Sequence, residues 1–298
     1  MPTNEGATQN ESMRIRVEQL RRLDDLLACE KLQSSILGRG SRSTLNLPAL
    51  TSVLHTGGLI LGVRDPVRND ELIGALVDFS GRFEEYRGHL TAFLGVAKAH
   101  RGRGIAKALR AEQRTLCLRE RVDVVFWWAD PLRSACAHLD LNRLGAIATA
   151  HVPHALGTVN DHLDAGLPTD RIQLEWWLEA PRTQAIESRQ SSQPAVNVGL
   201  DKMQVLTRTS ARPDGLRAPI GLEDQELPSH VMIEIPVDMD RLRQEAPEDA
   251  ASWRLLNRSA YELCFGHGYT MVGLLHQGSR SFQLLERADR GKILGRTT

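Results

Sequence analysis

The chain has 298 residues, enough to bury a sizeable core in one large domain or two small ones. Lysine plus arginine and aspartate plus glutamate each number 37, so no net field draws the chain to nucleic acid or an anionic membrane. No apolar run nears the roughly 18 residues of a membrane helix. The N-terminus is polar, with no apolar signal region, and cysteines at 29, 117, 136 and 264 show no metal-ligand spacing. A reduced, cytoplasmic protein without a bound metal is the expectation.

Residues 1–13 are polar and poor in apolar side chains, the composition of a disordered segment. Val17 to Cys29 carries leucines at 20, 23, 26 and 27 and reads as an amphipathic helix. Leu47 to His55, with Pro48 near its start, reads as a second. Gly58 to Arg64 and Glu71 to Ser80 read as strands joined by a turn-rich segment, and Gly81 to Gly88 as a charged loop. From Leu90 to Arg119 an apolar strand, a basic glycine turn and an amphipathic helix follow one another directly. Val122 to Trp128 is almost uniformly apolar, as expected of a strand buried on both faces. It stops at Asp130-Pro131, and helical periodicity then runs from Ser134 to Arg143, ending at Leu144-Gly145-Ala146.

Arg171 to Glu179 alternates, with Ile172, Leu174, Trp176 and Leu178 on one face and Arg171, Gln173, Glu175 and Trp177 on the other. Residues 181–229 scatter Pro, Gln, Ser and Arg without a period and read as a linker with at most short elements. Order returns with a strand at Val231 to Pro236 and a helix from Pro247 to Phe265 that Gly266 can cap. A hairpin of Tyr269 to His276 and Ser281 to Glu286 closes the chain. The expected organisation is a disordered 1–13, a main lobe over 14–180, a linker over 181–229 and a strand-helix-hairpin extension over 230–298. That extension is expected to pack on the main lobe and shape one side of its site.

The turn between the strand and the helix is the chemical centre of the sequence. The first amides of a helix have no intrahelical acceptor, and the helix dipole adds positive charge there. Gly102 and Gly104 let a phosphate approach the backbone, and Arg101, Arg103, Lys107 and Arg110 cluster around it. Neither GxGxxG nor GxxxxGK[ST] is present, which leaves out the usual dinucleotide and P-loop patterns. The segment Arg101-x-x-Gly104-x-Ala106, preceded by Gly95-Val96, resembles the pyrophosphate loop of the GNAT superfamily of acyl-CoA-dependent N-acyltransferases. The buried strand at 122–128 and the helix ending in Leu144-Gly145-Ala146 follow in the order and spacing of that family. Asp130-Pro131-Leu132, Gly166 to Arg171, Ile233 to Pro236 and Trp253-Arg254 are similar to a group of longer GNAT proteins, over roughly residues 14–287. This chain departs from the group at Thr91-Ala92, where Ser-His is expected. It also departs at Cys136 and Asp140, where asparagines are usual, and at Ala155-Leu156, where tyrosine is expected.

The resemblance implies an α/β (α+β) fold, a mixed and mainly antiparallel sheet flanked by helices. It implies acetyl-CoA or another acyl-CoA as donor and a primary amine as acceptor, a small molecule such as an amino acid or a natural-product intermediate. Succinyl transfer, homodimerisation, a non-catalytic CoA-binding role, thioester hydrolysis and O-acylation stay open. Arg101, Gly102, Arg103, Gly104, Ile105 and Ala106 would hold the pyrophosphate. Leu94, Gly95 and Val96 would offer a backbone N–H to the thioester oxygen. Asp130 falls where GNAT strands splay and is a candidate proton acceptor. The family often uses a tyrosine soon after the fifth strand; Tyr86, Tyr261 and Tyr269 all lie outside that region, so His138 and His154 are candidates for proton transfer. Trp128 is a candidate pocket wall. Arg171 is a candidate anchor for an acceptor carboxylate, held by Asp170, against a structural pair tying the turn to the extension. Cys136 is expected to be a small buried cysteine rather than a nucleophile, and Glu84 and Glu85 to be solvated charges rather than a base acting through water.

Overall fold

Runs such as Leu59–Asp65 and Val124–Ala129 have little polar surface to give to water, so they become interior strands of a sheet covered on both faces. The computed structural model describes residues 15–159, 161–164, 166–189, 203–223 and 226–296. In chain order it holds β1 (Val17–Gln19), α1 (Leu23–Leu37), α2 (Leu47–His55), β2 (Leu59–Asp65), β3 (Glu71–Phe83) and β4 (Tyr86–Val96). A 3-10 turn (Lys98–His100), α3 (Ile105–Arg119), β5 (Val124–Ala129), the short α4 (Ser134–Ala137) and a π-helical continuation (His138–Arg143) come next. Then follow β6 (Ile147–Val152), β7 (Arg171–Trp177), α5 (Pro181–Ser188), β8 (Gln204–Val205), β9 (Thr207–Ala211) and β10 (Arg217–Leu222). The chain ends with β11 (His230–Ile235), α6 (Met239–Glu245), α7 (Pro247–Gly266), β12 (Tyr269–Gln277), β13 (Arg280–Arg287) and α8 (Arg290–Leu294).

Among the described residues, one sheet takes the order β1-β2-β3-β4-β5-β7-β6-β12-β13-β11-β8, and β9 and β10 pair separately. Its pairings are antiparallel except β4–β5 and β8–β11, so the sheet is mixed and mainly antiparallel, with helices flanking it as expected. On one face of β2 to β4, α1 and α2 cover a core of Leu26, Leu50, Ile60 and Val77. On the other, α3 packs through Ile105 and Leu109. A Cβ added at Gly74 would lie 2.6 Å from Ile105 Cγ2, so glycine there lets the first turn of α3 sit directly on β3. That contact places the loop before α3 at the end of β4.

Three boundaries differ from the sequence reading. The segment read as one helix from Val17 opens instead as β1, paired with β2 at Val17↔Val63, and the helix begins at Leu23. Asp25 accepts from the amide of Arg22 at 3.0 Å, which fixes that start. The charged segment 81–88 is the tip of a continuous β3–β4 hairpin, paired at Phe83↔Tyr86, with Glu84 at φ 53 making the turn. Its charges face water and hid the strand. Gly266 is the last residue of α7, and His267 follows as its cap.

The extension continues the sheet of the first lobe through Met271↔Ala148 between β12 and β6. Trp253, Tyr261 and Cys264 of α7 share one core cluster with Leu61, Leu109 and Trp176. The stretch from 181 carries α5 and the β9–β10 hairpin. Residues 1–13 and 190–202, both read as irregular, lie outside the described residues.

Candidate active site

The parallel pairing of β4 with β5 covers only Gly88↔Val124 to Leu90↔Phe126. Beyond it β4 stays with β3 as far as Gly74↔Val96, and β5 stays with β7 as far as Ala129↔Ile172. The two strands therefore part into a wedge, with Thr91 to Val96 on one wall and Trp127 to Ala129 on the other. Leu94, Gly95 and Val96 stand on the β4 wall, on an edge that β5 no longer pairs.

The glycine loop opens at the wide end of this wedge. Gly102 has φ 76 and Gly104 φ 82, and Gly104 caps α3 without any side-chain hydrogen bond. The first helical bond runs from the Ala108 amide to the Gly104 carbonyl, 3.0 Å, leaving the amides of Ile105, Ala106 and Lys107 without a helix acceptor. No acid sits in the first turn. Arg101, Arg103 and Lys107 are exposed and make no ion pair among the described residues; Arg101 Nε donates to the Val96 carbonyl at 3.2 Å. A Cβ at Gly102 would meet nothing within 4 Å, and one at Gly104 only Ile15 at 3.8 Å. The space over the loop is open, and both glycines answer to backbone conformation and approach rather than to packing.

Arg110 does not belong to that surface cluster. It is buried, stacks 3.8 Å above the Trp127 ring and donates to Thr91 at 2.8 Å. Its face of α3 is the wrong one: residue 110 lies a turn past Lys107 and toward the sheet. Between α3, the π-helical segment, β7 and α5, Lys107, Arg143, Trp176, Glu187 and Arg189 line a cavity of about 230 Å³. The buried Trp176 indole N–H has no partner among the described residues.

Beyond β5, Asp130 is not free to act as a base. Arg254 of α7 grips it with two hydrogen bonds, 2.6 and 3.1 Å, and Asp130 Oδ1 also accepts the Leu132 amide at 3.0 Å. Burial works to raise its pKa, but the charge and hydrogen bonds of Arg254, with Arg171 and Arg133 behind, hold it down at about 2. A carboxylate so held is engaged by arginine, an arrangement that speaks against the proton-accepting role expected from the sequence.

Cys136 is exposed rather than buried, a second correction. Crowding by neighbouring protein atoms and then the Asp140 carboxylate raise its thiol pKa above the ordinary value, so it stays protonated at neutral pH. His138 is half-buried, with its ring 5.7 Å from that of His276 and Nδ1 3.3 Å from the Asn142 amide nitrogen. Burial first, then His276 and Arg143, lower its pKa, so it is neutral near pH 7. Asp140 is buried, and burial raises its carboxyl to about 6 against the pull of Arg110 and a hydrogen bond to Trp127. Its π-helical setting puts it beneath the β5 wall.

The remaining candidates are scattered. His154 is exposed at φ 51 after β6, and no hydrogen bond or ring contact joins it to Asp130 or His138. Asp170 is fully enclosed and takes two bonds from Arg258 of α7, 2.8 and 2.7 Å, with the His154 amide at 3.1 Å. Burial opposes its ionisation, but His151 and Arg258 hold its pKa well below the ordinary range. Arg171 pairs with Asp164, at 3.1 and 2.7 Å, and is nine-tenths buried. Arg171 commits three N–H bonds to Asp164 and the Asp170 carbonyl, and both Asp170 oxygens accept from Arg258, an arrangement that favours a structural role over substrate anchoring. Asp170, not Arg171, ties the turn to the extension. Glu84 is bound by Arg290 at 2.6 Å at the far tip of the β3–β4 hairpin. Ten residues of strand, about 30 Å, separate that tip from Val96, so neither Glu84 nor Glu85 reaches the wedge.

Trp127, Trp176 and Trp177 are buried, whereas Trp128 is 39% exposed on the β5 wall, where a pocket-lining aromatic would stand. Sequence spacing also missed a meeting of Asp78, His89 and Cys117, whose ligand atoms lie within 4.8 Å of one another. Hydrogen bonds occupy that group: His89 Nδ1 lies 3.0 Å from Asp78 Oδ2, and Thr91 donates to Oδ1 at 3.1 Å. Arg254, Arg258 and Gln283 were missed as site neighbours because nothing in the sequence links residues 124 positions apart.

No family model matches this chain, and no curated protein does. Among solved structures, the chain is similar over 55% of its length to a NatC complex bound to Gag peptide and CoA, at 18% identity, TM-score 0.45 and 99% of that chain. It is similar over 55% to a putative acetyltransferase from Salmonella typhimurium with its cofactor acetyl-CoA, at 16% identity, TM-score 0.44 and 94% of that chain. It is also similar over 55% to the ribosomal-protein-S18-alanine N-acetyltransferase of Escherichia coli, at 12% identity, TM-score 0.44 and 94% of that chain.

Proposed function

We propose that this chain is an acyl-CoA-dependent N-acyltransferase of the GNAT type, acting on a primary amine through a ternary complex. The observation that carries the reading is one juxtaposition. A wedge between two parted parallel strands opens beside a glycine-rich helix N-terminus without a side-chain cap, whose cations make no ion pair among the described residues. The wedge suits an extended amide-bearing arm, because the freed edge of β4 offers backbone groups as a strand would. The loop suits a pyrophosphate, through the amides of Ile105 and Ala106 and the charges of Arg101 and Arg103. Lys107 and Arg143 in the adjoining cavity extend the cationic surface along α3.

Acyl-CoA, as donor substrate, supplies an activated thioester. In this reading a backbone N–H of Leu94 to Val96 stabilises the oxygen as the amine attacks, a role supported by the freed β4 edge. The C–N bond forms as the nitrogen gives up one proton, the C–S bond breaks, and the departing thiolate takes up one proton, leaving amide and free CoA thiol. A direct attack fits Cys136, whose raised thiol pKa makes it a poor nucleophile at neutral pH. We favour a small acceptor, with the exposed Trp128 as one wall of its pocket; four free cysteines fit a reduced, cytoplasmic setting.

The test is calorimetric titration with CoA, followed by thiol release from acetyl-CoA and succinyl-CoA with and without a mixture of primary amines. CoA binding and amine-dependent release are expected, with no stable adduct in intact mass after incubation with acyl-CoA alone. Absent binding removes the reading. Release without amine means hydrolysis, binding without release means a CoA-binding module, and acylated Cys136 with activity lost in Cys136→Ala means a ping-pong route.

A further inference from the structure

We infer that Arg254, on the C-terminal lobe, is a positioning residue for acyl transfer: through Asp130 it sets the end of β5 and the helical segment after it. The inference rests on the transferase reading above. Past Phe126 the β5 wall has lost β4 as a neighbour and is paired only by β7. Pro131 then ends the strand, having no N–H to continue a ladder. The wedge wall from Trp127 to the start of α4 is therefore the part of the first lobe least supported by its own sheet.

Its support comes from the other lobe. Arg254 meets both oxygens of Asp130, and a two-pronged guanidinium–carboxylate contact fixes the plane of the carboxylate as well as its position. Asp130 Oδ1 accepts the Leu132 amide at the same time, so that plane sets the direction in which the chain turns into α4. Arg254 is itself rigid, 1% exposed, beside a Trp253 anchored by its indole N–H to the Arg217 carbonyl at 2.9 Å. From β13, Gln283 accepts from the Tyr261 hydroxyl at 2.6 Å and donates to the Pro131 carbonyl at 2.7 Å. Two buried side chains of the extension thus hold successive residues of one turn.

Other pairs join the lobes without bonding to the β5 wall. Arg258–Asp170 lies at the β7 entrance, so it serves as the internal comparison. If Arg254 were only glue between lobes, the two arginines would be interchangeable in effect. Because Arg254 instead holds a wall of the wedge, loss of its geometry should act on turnover. A shift of about 1 Å at a reacting centre is worth about 100-fold in rate.

The experiment compares Arg254→Lys with Arg258→Lys, each keeping the charge and losing the two-pronged contact. Melting temperature, calorimetric CoA affinity, and kcat and KM for acetyl-CoA are measured in thiol release with a fixed mixture of primary amines. Arg254→Lys is expected to bind CoA within about 2-fold of wild type while kcat falls at least 10-fold; Arg258→Lys is expected to melt lower with kcat nearly unchanged. An unchanged kcat in folded Arg254→Lys, or equal kcat losses in both variants, overturns the positioning role. Should Arg254→Lys not fold, Gln283→Ala replaces it: about a 3-fold or larger loss of kcat at constant CoA affinity supports the role, and an unchanged kcat overturns it. A wild-type protein that neither binds CoA nor releases thiol sinks the transferase reading itself, and the positioning role with it.

Discussion

The two sides of the wedge are built on opposite principles. On the loop side the chemistry is exposed, made of backbone and glycine, with cations that make no ion pair among the described residues. On the far side, Asp130, Asp170 and Arg171 are enclosed and bound by arginine or aspartate from elsewhere in the chain. Charges left unpaired at a surface are available to a ligand. Charges desolvated in pairs are committed to the fold, because breaking such a pair leaves an uncompensated buried charge. Residue types alone made the two sides look equally functional, and their partners separate them.

The largest effect should come from the loop. Gly104→Val puts a branched side chain on a left-handed backbone at the point where a phosphate would approach. CoA affinity is expected to fall at least about 100-fold, with a stability loss of about 1–2 kcal/mol from the strained φ. A folded Gly104→Val protein with undiminished CoA affinity in calorimetry would erase the difference between the two sides.

Arg171→Lys tests the committed side. Lysine cannot reproduce the two bonds to Asp164, and losing a charge-assisted bond in an enclosed site costs about 2 kcal/mol. Thermal melting should register that loss, while CoA affinity and the KM of any identified acceptor stay within about 2-fold. The reverse pattern, a raised acceptor KM at constant melting temperature, would restore Arg171 as a substrate anchor.

How far the sequence revealed these features follows from distance along the chain. The β4–loop–α3 unit was legible because every signal for it lies within 30 residues: the apolar strand, the glycines and the amphipathic period. The start of α1 was misplaced because Leu20, a buried residue at the strand–helix junction, continues the leucine spacing of the helix that follows. The fate of Asp130 was not legible, since an Asp-Pro at a strand end is equally a cap, a base or half of an ion pair, and Arg254 decides among them. The joining of the lobes was hidden for the same reason, as no local pattern pairs Ala148 with Met271. Arg110 shows the complementary failure: a basic residue near a basic loop was counted with it, although helical phase turns it inward onto Trp127.

Two buried carboxyls on the same wall sharpen the comparison through pH. Asp130, held at about 2, is ionised more readily in the folded chain than the ordinary 3.8 allows. Its contribution to stability is present above pH 4 and is lost as pH falls through 2. Asp140, raised to about 6, binds its proton more tightly when folded. Its contribution is present below pH 4 and is lost as pH rises from 4 through 6. Asparagine cannot ionise and still accepts a hydrogen bond from Trp127, so Asp140→Asn should escape that loss. The shift of about two units, which already contains the pull of Arg110, bounds the gain at about 3 kcal/mol. Melting curves should therefore nearly coincide at pH 4 and separate above pH 6, with the variant the more stable. A difference that stays constant between pH 4 and 7 would show that Asp140 does not titrate there, and that both carboxyls on this wall belong to the paired, permanently ionised kind.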